Sequence, residues 1–306
     1  MANVKSASAL RLKKLRKSGF LLSILAYPLL HFIVFYLIVN TNAILLAFQR
    51  VNTNFEYEWV GFANFKQIWT ELTSPEILIM RINIRNSLLF YAAHLIIGTP
   101  LHLLIAFLMF KKIRFSGVFR IIVMIPSMIS GMVMALIFER LMYALPTAFQ
   151  RMGITFPNMM NDQKYVFLTI VFYSLWTGYG SSVIMYPNAM NAINKEIIEA
   201  SKLDGCTPLQ EFFRIVIPLI LPTITTYTVT GFAGIFGAQG ANYVFWGTHA
   251  PAASSTMGYY LHAQVLASGS IVYGYCSALG ILCTIVTFPL TMLIKWFLEK
   301  VDPVNE

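Results

Sequence analysis

Long apolar stretches separated by short charged segments set the pattern of this chain. From Ile215 to Ile294 there is no Asp, Glu, Lys or Arg, and a polar segment at 239–270 divides that stretch in two. A helix needs about 20 mainly apolar residues to cross a bilayer, so we predict an all-α integral membrane protein with six spanning helices. The predicted spans are residues 20–48, 86–110, 121–143, 165–187, 217–237 and 271–297.

Basic residues predict the orientation of these helices. Short loops rich in Lys and Arg stay on the cytoplasmic side during membrane insertion. Fifteen of the 22 Lys and Arg lie in the tail 1–19, in the loops after the second and fourth predicted spans, or near the C-terminus. We therefore expect a transmembrane domain at 20–298, with the tails 1–19 and 299–306 both in the cytoplasm of a prokaryotic cell.

Composition excludes several other classes of protein. The 306 residues are 57% hydrophobic and 11% charged, whereas soluble domains are typically about 25% charged. The net charge of +9 resides in segments that flank apolar runs, without the aromatic-interleaved basic patch of a nucleic-acid binder. Three scattered cysteines and five single histidines have no metal-ligand spacing. We expect no metal and no cofactor in this chain.

The segment 191–218 is the largest predicted cytoplasmic loop, and its pattern predicts two short helices. Lys195 to Leu203 has apolar residues near helical spacing, and Gly205 can adopt the left-handed conformation that ends a helix. A second helix is predicted to begin at Thr207, because Thr at the N-cap, Pro208 at the first position and Gln210 three residues after the cap form a capping box.

This loop also carries a specific resemblance to a known family. It resembles the E-A-A-x-x-D-G…F-x-x-I-x-L-P signature of permease subunits from binding-protein-dependent ABC importers. Two aligned positions differ from the family's usual residues. Ser201 replaces the second alanine, and Cys206 replaces the alanine that usually follows the glycine. The matching residues are Glu199, Ala200, Ser201, Asp204 and Gly205, followed by Phe213, Ile215, Ile217 and Pro218.

The resemblance implies partners and a role for the loop. In that family the loop is a coupling helix between spans four and five that inserts into a cytoplasmic ATPase, so residues 199–201, 204 and 205 are the expected coupling residues. The implied partners are a second permease, two ATPase subunits that bind ATP and Mg²⁺, and an extracellular solute-binding protein. The chain has no G-x-x-x-x-G-K-[ST] loop, so it is expected to be a transport subunit and not an enzyme.

Three further segments are similar to the carbohydrate-uptake, maltose-permease-like branch. They are Val60–Phe65, residues 115–138 and residues 247–260 with Pro251-Ala252 and Ser255-Thr256. His249 departs from the pattern, because it lies where that external loop usually has glycine. The resemblance implies a sugar as cargo and leaves open whether it is a mono-, di- or oligosaccharide.

The spans that lack charge still carry aromatic, hydroxyl and amide groups suited to a neutral polyhydroxylated solute. The same residue types are common at membrane interfaces and at helix contacts. Each of these residues could therefore serve in packing instead of lining a pathway. We expect His94 and His102 to pack or to hydrogen-bond between helices. The candidate pathway residues are Tyr173, Trp176, Tyr179, Gln239, Asn242, Tyr243 and Trp246.

A channel or secondary carrier that works without ATP is the competing class. Against it, the spans contain no Asp or Glu apart from Glu139 near one end of the third, and ion-coupled carriers usually place acids within the membrane. A membrane enzyme is disfavoured because no convergent set of His, acid and Ser occurs at a suitable spacing. Pro218, Pro222 and Gly231 to Gly237 interrupt the fifth span and predict a hinge or a packing kink.

Overall fold

The structure is a computed structural model that describes residue 20 and residues 23–301. The predicted tail 1–19 and most of the tail 299–306 lie outside these residues. Up to residue 150 the described elements are α1 (Ser23–Leu46), β1 (Gln49–Val51), β2 (Tyr57–Trp59), α2 (Ala63–Thr73), α3 (Ile79–Phe110), α4 (Ser116–Met128) and α5 (Gly131–Gln150). The later helices are α6 (Val166–Thr177), α7 (Tyr179–Asn191), α8 (Lys195–Leu203), α9 (Pro208–Leu219), α10 (Leu221–Ala233), α11 (Asn242–Trp246), α12 (Met257–Ser268) and α13 (Tyr273–Val301).

The described helices supply fewer uninterrupted spans than the six predicted. By length and apolar composition, four are long enough to cross a membrane: α1, α3, α5 and the stretch Met257–Lys300. The bent pair α9 and α10 makes a fifth if it is one span. The third predicted segment is broken at Ile129–Ser130 between α4 and α5, and the fourth is broken at Gly178 between α6 and α7.

The predicted interruption of the fifth span is confirmed. Helices α9 and α10 meet at Ile220 with a bend of 68°. Pro222 has no N–H to donate to the carbonyl of Pro218 four residues earlier, and its ring clashes with that carbonyl in a straight helix. The bend therefore follows directly from the two prolines.

The chain divides into two compact units, of which the first comprises residues 1–66 and 271–281. Its described part contains α1, the antiparallel hairpin β1–β2 and the start of α13. Asn64, which is buried, donates from Nδ2 to the carbonyls of Ala47 and Gln49, both at 2.9 Å, and accepts at Oδ1 from the Arg50 guanidinium at 3.0 Å. This explains the asparagine of the 60–65 element, since one side chain holds the end of α1 and the hairpin together.

The second unit, residues 67–270 and 282–306, contains the candidate functional site. One buried cluster joins α3, α7 and α9 through Phe107, Tyr186, Met190, Phe212 and Val216, with other apolar residues around them. A second cluster, built around Phe138 and Tyr173, joins α5, α6 and the residues beside α11. The first cluster thus brings residues far apart in sequence together at α3, which packs closely along α7.

Candidate functional site

The loop 191–218 folds as the sequence predicts. Helix α8 spans Lys195–Leu203 and is capped by Asn194, whose side chain accepts a hydrogen bond from the N–H of Glu196 at 3.0 Å. After it, Cys206 N–H donates to the carbonyl of Ser201 at 3.0 Å and Gly205 N–H donates to that of Lys202 at 3.1 Å. This is a Schellman motif, and Gly205 has the positive φ of +74° that it requires.

The capping box at the start of α9 is also confirmed. Thr207 N–H donates to Oε1 of Gln210 at 2.9 Å, and Gln210 N–H donates to Oγ1 of Thr207 at 3.4 Å. Four residues, 204–207, join the two helices, and the facing helix ends are both capped. Two exposed apolar side chains flank the turn. Leu203 is 89% exposed and Leu209 is 65% exposed.

The five predicted coupling residues divide into two groups. Glu199, Ala200, Asp204 and Gly205 are exposed. Ser201 is buried and donates from Oγ to the carbonyl of Ile198 at 2.8 Å. Four of the five are therefore accessible to a partner, and Ser201 supports the loop from within.

A cavity of about 240 Å³ lies within the second unit, between α3, α7, α10 and the residues that follow α10. None of the described residues that line it is an Asp, Glu, Lys or Arg. Its polar groups are hydroxyls and imidazoles, contributed among others by Tyr91, His94, His102, Ser182 and Tyr227. Uncharged donors and acceptors on an apolar wall suit a neutral ligand with several hydroxyl groups.

Two histidines of α3 that line this cavity join α3 to α6 and α7. His94 Nε2 lies 2.5 Å from Oγ of Ser174, and His102 Nδ1 lies 2.8 Å from Oγ of Ser182. The predicted interhelical hydrogen bonding is confirmed. Nε2 of His102 is buried without a hydrogen-bond partner among the described residues. A π-helical stretch, His94–Gly98, begins at the first histidine, and such stretches are frequent at functional sites.

None of the seven candidate pathway residues lines this cavity. Tyr173 and Trp176 pack with Phe138, and Trp246 packs on Phe245. Tyr179 contacts a residue of the wall, with its ring 4.5 Å from that of His102. Gln239 contributes its backbone carbonyl to the buried Asn242, and Tyr243 packs on His262.

Sequence reasoning did not single out the cavity, although a signal for it is present. Ser87, Tyr91, His94 and His102 are polar positions of α3 at roughly helical spacing, within an otherwise apolar stretch. A polar stripe on one side of an apolar helix indicates a protein-lined cavity, because polar groups are costly against lipid. Tyr186 and Tyr227, which complete the wall from α7 and α10, carry no such signal.

The polar segment before α12 is fixed to α3 by buried amides. Nδ2 of Asn86 donates to the carbonyls of Ala253 and Ser255, both at 2.9 Å. The next residue, Ser87, accepts at Oγ from the N–H of Met257 at 2.9 Å. These bonds hold residues 251–256 of the predicted external loop against one end of α3.

We predict opposite outcomes for two asparagines one turn apart on α3. Both are buried, but Asn86 binds two carbonyls, whereas Asn83 has no partner for either side-chain atom among the described residues. Asn86→Leu should lower stability by about 2 kcal/mol, because it leaves buried carbonyls unpaired. Asn83→Leu should preserve or raise stability. Thermal unfolding in detergent tests the pair, and equal losses in both would contradict this account.

The described chain thus combines apolar helices long enough to cross a membrane, a cavity lined without charged residues, and an exposed two-helix loop. The model of the family described as "binding-protein-dependent transport system inner membrane component" matches residues 98–304. The chain belongs to this family. It is a transmembrane permease component of an ABC importer, and ATP hydrolysis is the task of a partner ATPase.

Relatives match over most of the chain. The arabinooligosaccharide transport system permease AraP of Bacillus subtilis is 27% identical over 272 residues, covering 86% of this chain and 83% of that protein. The multiple-sugar-binding transport system permease MsmF of Streptococcus mutans is 24% identical over 266 residues, covering 86% and 89%. A chain of a bacterial alginate ABC transporter, solved with an alginate-pentasaccharide-bound periplasmic protein, has the same fold, with a TM-score of 0.76, 19% identity and coverage of 95% and 98%.

Proposed function

We propose that this chain forms one half of the translocation pore of an ABC importer for a neutral carbohydrate. The second half is another permease or a second copy of this chain. Two ATPase subunits bind on the cytoplasmic side, and an extracellular binding protein delivers the sugar. The observation that carries the proposal is the family match over residues 98–304, together with the exposed two-helix loop inside that range.

The proposed topology has six spans with both termini in the cytoplasm. Helices α6 and α7 form the fourth span, interrupted at Gly178, and α9 with α10 forms the bent fifth span. Breaks of this kind are tolerated in membranes where the freed carbonyls face protein or a water-filled cavity. At the second break Ile220 is buried in the apolar cluster that joins α3, α7 and α9, so this break faces protein.

The loop 191–218 is proposed as the coupling element. Its exposed carboxylates, Glu199 and Asp204, and its exposed Leu203 and Leu209 offer charged and apolar contacts to an ATPase cleft. Caps at both ends of α8 and at the start of α9 make the loop rigid enough to transmit movement. ATPase closure would shift the pore between inward- and outward-facing states by binding one of them more tightly.

A neutral sugar is the proposed cargo because of the cavity wall. Hydroxyls and imidazoles bind sugar hydroxyls, and the rings of Tyr91, Tyr186 and Tyr227 offer surfaces for the apolar faces of a sugar. An amino acid or an inorganic anion fits less well, because the described lining has no Arg or Lys to balance its charge. The names of AraP and MsmF, both permeases of sugar transport systems, favour the same class of cargo.

The decisive experiment is purification of the tagged chain from native membranes in mild detergent, with mass spectrometry of the co-purified proteins. We expect a second permease, an ATPase with a Walker loop and a solute-binding protein. Radiolabelled mono-, di- and oligosaccharides are then screened against that binding protein. Recovery of the chain alone, with solute flux into liposomes without ATP, would contradict the proposal and identify a channel or carrier.

A further inference from the structure

An ion pair with a buried carboxylate links the proposed coupling loop to helix α3. Nζ of Lys111, the residue directly after α3, lies 2.5 Å from Oε2 of Glu211 in α9. Glu211 is only 1% exposed, although carboxylates are seldom so buried. A second ion pair, Lys295–Glu299, lies on the surface with its side chains about half exposed.

The surroundings of the pair are apolar and tightly packed. The ammonium of Lys111 lies 5.6 Å from the ring centroid of Phe107, whose ring is 4.8 Å from that of Phe212. Both phenylalanines belong to the cluster that joins α3, α7 and α9. Apolar contacts alone can slide without a large loss of energy. The ion pair holds one register, because separation would leave the buried carboxylate of Glu211 without a compensating charge.

The pair lies on the opposite side of the loop from its exposed contacts. Glu199, Asp204 and Leu203 are exposed at the turn, while Glu211 and Phe212 are buried against α3. Helix α3 then runs from Lys111 back to His102, about 14 Å along the axis at 1.5 Å per residue. His102, His94 and Tyr91 on the same helix line the cavity. One helix thus connects the ion pair to the cavity wall.

We propose that Lys111 and Glu211 are positioning residues that fix the coupling loop to α3, so that movement of the loop moves the cavity wall. The inference rests on the proposed coupling role of the loop. Lys111 and Glu211 make no contact with the ATPase in this account. Their loss therefore leaves assembly and ATP hydrolysis in place and removes the response of the cavity.

The test measures that response directly. Thr228, which lines the cavity, is changed to cysteine in a chain whose Cys206, Cys276 and Cys283 are replaced by serine. The rate of labelling by N-ethylmaleimide is compared in the purified complex with and without ATP plus vanadate. ATP hydrolysis and co-purification of the ATPase are measured in the same preparation. This readout does not require the cargo to be known.

The expected result is a loss of the ATP-dependent change in labelling. Glu211→Gln, which is isosteric, and Lys111→Met should reduce this change at least about fivefold, the lower end of typical coupling between sites, while the ATPase stays bound and active. Lys111→Glu should act in the same direction, and the charge exchange Lys111→Glu with Glu211→Lys should restore most of the response. The matched control, Lys295→Glu with Glu299→Lys, exchanges an exposed pair and should change nothing.

Any of three results would overturn the inference. The first is a full ATP-dependent response in Glu211→Gln, and the second is a charge exchange no better than Lys111→Glu alone. The third is loss of the assembled complex in every variant of the pair, which would make the pair a folding element only. Gly205→Val separates this failure from failure of the proposed function, because it leaves the ion pair intact and disrupts the loop. If Gly205→Val also leaves the response unchanged, the coupling role of the loop is wrong.

Discussion

Gly205→Val is expected to abolish coupling between ATP hydrolysis and uptake. The backbone at this position has φ +74°, and a left-handed conformation costs an L-residue about 1–2 kcal/mol. A β-branched side chain adds to that strain. The Schellman turn between α8 and α9 should open, and the exposed contacts on either side of it should separate. Uptake should fall by at least about tenfold, since this strain exceeds 1.4 kcal/mol.

The cause of this effect is conformational, because nothing lies within 4 Å of a Cβ built on Gly205. Gly205→Asn should therefore retain much of the activity, since asparagine adopts the left-handed conformation more readily. Gly153 is a matched control, with φ +75° and equally open surroundings, and it lies in a predicted external loop. Gly153→Val should leave coupling intact. Uptake of the sugar selected by the binding-protein screen, measured with ATP hydrolysis, tests all three variants. Equal losses at Gly205 and Gly153 would contradict a specific role for the loop.

Gly231→Leu is expected to block uptake while the complex still assembles. Gly231 lines the cavity from α10, and a Cβ there would lie 3.3 Å from Cε2 of Tyr91 on α3. A leucine side chain would project between the two helices and take up much of the 240 Å³. Overpacking of this kind typically costs about 1–3 kcal/mol, so uptake should fall by about tenfold or more while the ATPase remains bound.

Gly131→Leu provides the matched control for the cavity. Gly131 begins α5, and nothing lies within 4 Å of a Cβ built there. The same substitution should be tolerated, with uptake close to that of the unmodified chain. Uptake is measured alongside purification of the intact complex. Normal uptake by the Gly231 variant would exclude the cavity from the pathway of the sugar.

The local structure of the loop 191–218 was predictable from sequence because short-range rules determine it. The N-cap oxygen of Thr207, the pyrrolidine ring of Pro208 and the missing side chain of Gly205 act on neighbouring residues only. The bend beside Pro222 followed for the same reason. The breaks at Ser130 and Gly178 were not predicted, since hydrophobicity alone does not distinguish one straight helix from two apolar helices in succession.

The cavity and the ion pair depend on tertiary packing, which explains why sequence analysis missed them. Lys111 and Glu211 are separated by 100 positions, and nothing in either local sequence specifies their pairing. The aromatic residues predicted to line a pathway do not line this cavity, for a related reason. Tyr173 and Trp176 face Phe138 on α5, and the direction of a helix face is set by the neighbour against which it packs.

The charge-free lining of the cavity has an electrical consequence. Moving one elementary charge across a membrane potential of 100 mV costs or yields about 2.3 kcal/mol. The proposed cargo, a neutral sugar, carries no such charge, so its movement along this cavity would be electrically silent. The membrane voltage would then neither drive nor oppose that movement. Collapse of the membrane potential should leave this step of uptake unchanged if the cargo is neutral as proposed.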